Sequence, residues 1–197
     1  MLLGVDGCGG SGKSTFAKRL ADALAQAGAS AQVIHMDDFC KPSVQRLPQC
    51  ESLALIGSDF DWQRLRRDVL KPLSENNAGY YQRYDWASDQ LAEWCEVSNQ
   101  GITLVEGIYS TRYELDTFYD LTFWLYCSRS ERLERGIARD GEAKKELWEK
   151  FWMPAEDRYV ELDEPHRRAK LLVDGSGSSD HISLRCDLDG FLAASNH

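Results

Sequence analysis

Apolar and polar positions along this chain switch between a two-residue and a three-to-four-residue period, and the switches predict its elements. Met1 to Val5 is an apolar run of strand length. After a glycine-rich stretch, Phe16, Leu20, Ala23, Leu24 and Ala27 recur at helical spacing, and Gly28 supplies a stop. Ala31 to Met36 predicts a second strand, ending at Asp37-Asp38-Phe39. Residues 40–60, with prolines at 42 and 48, read as an irregular loop. A helix is predicted from Trp62 to Leu73, with Asp61 as N-cap and Pro72 near its end. The aromatic, polar stretch from Gly79 to about residue 96 suits a hairpin or flap. Ile102 to Val105 and Leu121 to Tyr126 are strands; the first ends at Glu106-Gly107, and a helix from about Ser130 to Arg139 follows the second. Residues 142–164 form a charged helical segment that carries tryptophans. Lys170 to Val173 is a last strand ending at Asp174-Gly175; a turn over 176–179 and a helix over about 180–193 complete the chain.

Strands that alternate with helices in this way predict an α/β fold, with about five parallel strands joined by right-handed crossovers and flanked by helices. A length of 197 residues fits one domain over 1–197. The formal charge of −9, from 23 basic and 32 acidic side chains, argues against a nucleic-acid or anionic membrane surface as partner, because both need a basic field. No apolar run is long enough to span a bilayer. Six cysteines show no C-x-x-C pairing, and the first strand begins at the amino terminus without a leader. Free thiols in the cytoplasm are the expectation.

The glycine-rich stretch changes the picture from architecture to chemistry. Gly7-Cys8-Gly9-Gly10-Ser11-Gly12-Lys13-Ser14 fits the phosphate-binding pattern G-x-x-x-x-G-K-[ST] at every fixed position, between a strand and a helix, with Thr15 next. Such a loop, the Walker A element of the P-loop NTPase fold, turns its backbone N–H groups around a polyphosphate, and the helix dipole adds to the attraction. ATP with Mg²⁺ is the expected ligand: Gly7, Gly9, Gly10, Ser11, Gly12, Lys13, Ser14 and Thr15 would hold the phosphates, Lys13 reaching the β- and γ-groups and the Ser14 hydroxyl the metal. Cys8, near a helix amino terminus, is expected to have a lowered thiol pKa and to be alkylated in competition with Mg-ATP.

In an open parallel sheet the ligand lies beyond the carboxyl ends of the strands. Those ends carry the loop at 7–14, Asp37-Asp38, Glu106-Gly107 and the start of the helix near Ser128, which is the set of groups phosphoryl transfer needs. Asp37 and Asp38 are neighbours, so one would face an acceptor while the other caps or pairs. Glu106 stands either near Mg²⁺ or in solvent. Arg132, Arg135 and Arg139 share a helix face, either as part of a lid over about 135–150 or as a surface paired with Glu131 and Glu134.

Taken in order, GCGGSGKST, HMDDFCKP, DFDW, QRYDW, LVEGIY, RLERGIARD, FWMPAEDRY and VDGS resemble the uridine kinase and nicotinamide riboside kinase branch of the P-loop kinases over about residues 2–175. The resemblance implies transfer of the ATP γ-phosphate to the 5′-hydroxyl of a ribonucleoside. It implies Asp37 as general base, Asp61 on the ribose hydroxyls, Tyr84 on the base, Glu106 near Mg²⁺, and Arg135 and Arg139 on ATP phosphates. Lys13, Asp37, Glu106 and Arg135 would then be the catalytic set. The chain departs from uridine kinases at Asp89, where they carry a histidine, and after Arg139, where their arginine-rich turn is absent. A GTPase would need N-K-x-D, which the chain lacks. A kinase of a non-nucleoside alcohol and a non-catalytic nucleotide-binding regulator are the alternatives.

Overall fold

In the computed structural model, which describes residues 1–48, 55–176 and 183–185, the predicted apolar runs become one twisted sheet. Its strands are β1 (Leu2–Gly7), β2 (Ala31–His35), β5 (Ile102–Glu106), β6 (Leu121–Tyr126), β7 (Leu171–Asp174) and β8 (Ser183–Arg185), in the order β2-β5-β1-β6-β7-β8. The first five positions pair in parallel, as the βα alternation requires. β8 pairs antiparallel with β7 at the edge. The helix expected over about 180–193 is corrected at Ser183–Arg185, which form this strand; its other residues lie outside the described ones. Leaving β5 on one side of β1, the chain re-enters at β6 on the other, so the crevice of the sheet opens above β1.

Helix α1 (Lys13–Gln26) covers one face, with Phe16 and Ala17 packed on Leu3, Val5, Leu104 and Phe123. The opposite face buries Trp124 and Tyr109 under Tyr159, which belongs to α5, a continuous helical stretch over residues 145–163. A further cluster joins Leu2, Ile34 and Val105 of the sheet, with Met36 and Phe39, to Leu65, Val69 and Leu70 of α2 (residues 62–74) and to Tyr81 and Val97 of a hairpin. That hairpin, β3 (Gly79–Asp85) and β4 (Gln90–Val97), stands apart from the main sheet. The short α3 (Tyr113–Asp116) follows β5, α4 (Arg129–Asp140) follows β6, and α6 (Pro165–Arg168) leads into β7.

Two prolines leave the same mark. Pro72 and Pro154 each lie two residues beyond a π turn, at Arg66–Leu70 and Trp148–Trp152. A helical proline offers no N–H to the carbonyl four residues back and crowds it, and a widened turn accommodates both defects without ending the helix. Both α2 and α5 therefore run on past their prolines.

Candidate active site

The phosphate loop leaves β1 as a cradle that only glycine can line. Gly10 (φ +77°) and Gly12 (φ +93°) occupy left-handed backbone, and a Cβ on Gly10 would lie 2.5 Å from the Arg132 carbonyl. Gly12 opens α1 without a side-chain cap, and no acidic residue stands in the first turn. The Ser11 hydroxyl is buried without a partner. An uncapped helix start, an orphaned hydroxyl and a lysine together fit a polyphosphate. Lys13 folds across the loop and donates from Nζ to the Cys8 carbonyl at 2.9 Å.

Ser14 donates from Oγ to Glu106 Oε1 at 3.1 Å, joining α1 to the end of β5. His35, at the end of β2, donates from Nδ1 to the same oxygen at 2.6 Å. Burial pushes the Glu106 carboxyl upward, but His35, Lys13 and Ser14 together hold it below its ordinary value. The bond to Glu106 raises the His35 pKa against the opposing effect of burial. Glu106 is thus an ionised carboxylate beside the Ser14 hydroxyl. That donor pair suits Mg²⁺, which takes one or two protein ligands and completes its shell with phosphate oxygens and water. Among the described residues no group of three His, Cys, Asp or Glu side chains could hold a metal by itself.

Asp37 and Asp38 lie in a tight turn, Met36–Phe39, and point apart. Tyr81 of the hairpin donates to Asp38 Oδ2 at 2.8 Å, and Arg64 Nη2 donates to the Asp38 carbonyl at 2.9 Å. Asp37 instead faces the loop, within the fields of Lys13, Arg139, His35 and Glu106. Crowding in the cleft and then the Glu106 charge raise its pKa, although one side of the residue stays open to solvent. Asp61 caps α2, accepting from the Arg64 N–H at 3.0 Å, and its own N–H donates to the Phe39 carbonyl at 2.8 Å. That backbone bond fixes Asp61 beside the turn carrying Asp37.

Three expectations are corrected. Tyr84 is only 2% exposed. Its hydroxyl donates to Asp89 at 2.6 Å and accepts from Arg46 at 2.7 Å, the Arg46 guanidinium lies 5.4 Å from its ring, and Trp86 meets it edge-on. A planar base has no open face there. Asp89, bonded by the Ser43 hydroxyl and N–H and by Tyr84, is held down to about 2 and latches the hairpin to residues 43–46. Arg135 turns to backbone rather than outward: it donates to the carbonyls of Gly10 (3.3 Å), Gly175 (2.7 Å) and Ser176 (3.3 Å). It braces the underside of the loop, whereas Arg139, paired with Asp140, is the arginine whose field reaches Asp37. Cys8 is 6% exposed, and burial, then Glu156, pushes its thiol up to about 12. Its side chain faces the core rather than the helix start, so the dipole does not activate it.

The sequence reading missed His35, Asp6, Trp148, Glu156 and Tyr159. Asp6 is fully buried and satisfied, accepting from Gly7 N–H, Thr111 and Tyr159. Glu156 and Tyr159 recur three apart within FWMPAEDRY, a helical spacing that could have flagged a shared inward face.

Residues 2–162 match the family described as phosphoribulokinase / uridine kinase. Among solved structures, a possible uridine kinase from Bacillus stearothermophilus is 26% identical and superposes with a TM-score of 0.70, covering 87% of this chain and 87% of that one. Phosphoribulokinase from Rhodobacter spheroides is 14% identical with a TM-score of 0.61, over 86% of this chain and 68% of that one. D-glycerate 3-kinase from Cryptococcus neoformans var. grubii is 11% identical with a TM-score of 0.63, over 94% and 89%. At their identities the last two speak for the fold alone.

Proposed function

The chain belongs to the phosphoribulokinase / uridine kinase family, and from that premise we propose that it transfers the ATP γ-phosphate to a hydroxyl of a small-molecule acceptor, the 5′-hydroxyl of a ribonucleoside first. One observation carries the reading. Of two adjacent aspartates, Asp38 is tied to Tyr81, while Asp37 faces Lys13 and the Glu106–Ser14 pair with no hydrogen-bond partner among the described residues. A carboxylate left free beside a phosphate cradle, its pKa raised toward the working range, is suited to take a proton from an acceptor hydroxyl.

Each residue then has a task. The loop amides and Lys13 bind the triphosphate and oppose the charge that grows during transfer. Ser14 and Glu106 would hold Mg²⁺, whose contribution when bound is to neutralise charge on the β- and γ-oxygens. Asp37 orients the hydroxyl and accepts its proton. Asp61, with Oδ1 engaged in capping and Oδ2 in a 3.7 Å ion pair with Arg64 Nε, would offer Oδ2 to a diol. Arg139 adds positive charge from α4.

The burial of Tyr84 favours a second reading, a non-nucleoside alcohol, because the aromatic surface expected to read a base is covered. An ATP-consumption screen separates the two. Uridine, cytidine, nicotinamide riboside and their 2′-deoxy analogues form one arm; D-glycerate, pantothenate and sugar phosphates form the other. Turnover with ribonucleosides supports the first reading, and turnover confined to the second arm replaces it. Hydrolysis or transfer with neither, alongside tight ATP binding, would point to a regulator.

A further inference from the structure

Two α5 side chains that take no part in the chemistry just described reach the back of the phosphate loop. Glu156 accepts from the Gly9 N–H through Oε1 at 3.0 Å. Three residues later, on the same helix face, Tyr159 donates to Asp6 Oδ2 at 2.7 Å, and the other oxygen of Asp6 accepts from the Gly7 N–H at 2.6 Å. The helix thereby holds two loop glycines from behind. Trp148, at the near end of α5, completes the wall: a Cβ on Gly9 would lie 2.8 Å from its ring and 2.7 Å from Glu156 Oε1.

The arrangement is costly, which is what makes it informative. Glu156 is 6% exposed, and burial raises its pKa. Lys13 and then Arg132 lower that pKa; Arg132, its nearest ion-pair partner, stands 3.5 Å away, and the Arg132 Nε has no partner. A buried carboxylate with so loose an ion pair contributes little net stability. Its good bond is the one to Gly9. The α1 amides, which no side chain caps, stay open toward the phosphates.

We propose that Glu156 and Tyr159 are positioning residues of the phosphate loop, holding Gly9 and Gly7 so that the cradle keeps its nucleotide-binding shape before ATP arrives. A loop set in advance loses no binding energy to reorganisation, and its donors are already aimed when charge develops. The inference rests on the kinase reading above and extends it to a helix that packs behind the loop.

The test combines ATP titration calorimetry with steady-state kinetics in both substrates and thermal unfolding. Glu156→Ala leaves a buried N–H unpaired and should weaken ATP binding and raise its KM by roughly 10- to 100-fold, with the acceptor KM unchanged. Glu156→Gln restores an acceptor for Gly9 and should return the ATP KM to within about three-fold of wild type. Tyr159→Phe should raise the ATP KM without moving the acceptor KM, and it decides the question if Glu156→Ala does not fold. A folded Glu156→Ala protein that binds ATP as wild type does overturns the inference alone. So does a loss shared equally by both substrates, which marks a merely structural role. A wild type that binds no ATP overturns the kinase reading as well.

Discussion

Single side chains divide here by what surrounds them rather than by type. Lys13 is the cation nearest the expected γ-phosphate, so Lys13→Ala should lower turnover by about 10²-fold or more with the fold intact, as circular dichroism and assay together would show. Asp37→Asn keeps the shape and removes the base, for a loss of about 10²–10⁴-fold in kcat with ATP affinity near normal. Asp38→Asn, whose carboxylate is already bonded to Tyr81, should cost much less; the reverse order would exchange their roles. The pH profile follows from the raised Asp37 pKa. The active carboxylate is present above that pKa and lost as pH falls through it, so the acidic limb lies above that of an ordinary aspartate. Arg139 lowers the same pKa, and Arg139→Gln should therefore move the limb to still higher pH. Cys8 belongs to the opposite case: buried and pushed up to about 12, it should resist alkylation at neutral pH, and rapid labelling of Cys8 would contradict its placement.

Secondary-structure elements act through their ends. Asp61 caps α2 and is also the candidate for binding an acceptor diol, and the two tasks separate by substitution. Asp61→Ala loses the cap, worth about 0.5–2 kcal/mol of stability, together with any contact to acceptor. Asp61→Ser keeps a capping oxygen; if the carboxylate binds acceptor, the acceptor KM should still rise strongly while Tm stays close to wild type. An unchanged KM would reduce Asp61 to a cap. The hairpin is fastened at its tip by Asp89, Tyr84 and Arg46 and at its base by Tyr81 stacked on Phe39, with ring centroids 4.7 Å apart. Tyr84→Phe should loosen the tip alone, seen as faster amide exchange around residues 84–91 with ATP binding unaffected.

At the scale of the molecule, the loop sits between two walls. In front, β2, β5 and the Asp37 turn present the acidic groups; behind, α4 and α5 present backbone and buried charge. Trp148 joins the two rear helices, packed against Gly136 so closely that an added Cβ would lie 2.5 Å from its ring. Gly136→Ala should therefore cost about 1–3 kcal/mol through overpacking, a drop of several degrees in Tm by calorimetry, and should weaken ATP binding because the wall carrying Glu156 is displaced. Among the described residues no helix is long and apolar enough to cross a membrane.

The sequence by itself determined what depends on local pattern. Period and length specified the five parallel strands, though not β8, and the parallel order follows because βα units cross over in one hand. The phosphate loop was legible because its chemistry needs consecutive residues, and the glycines, Lys13 and Ser14 reach their targets from a single turn. Asp37, Asp61 and Glu106 were legible as strand or helix ends. Only the tertiary structure decided matters that hang on orientation and on partners far along the chain. It settled which of Asp37 and Asp38 is free, through Tyr81, which lies 43 positions from Asp38. It turned Arg135 onto backbone carbonyls, buried Tyr84 under Arg46, and aimed the Cys8 thiol into an apolar core that outweighs the helix dipole. It also brought Glu156 to Gly9 across 147 positions. Such pairs leave no spacing to read, because a side chain's direction and desolvation are set by whatever packs against it in three dimensions.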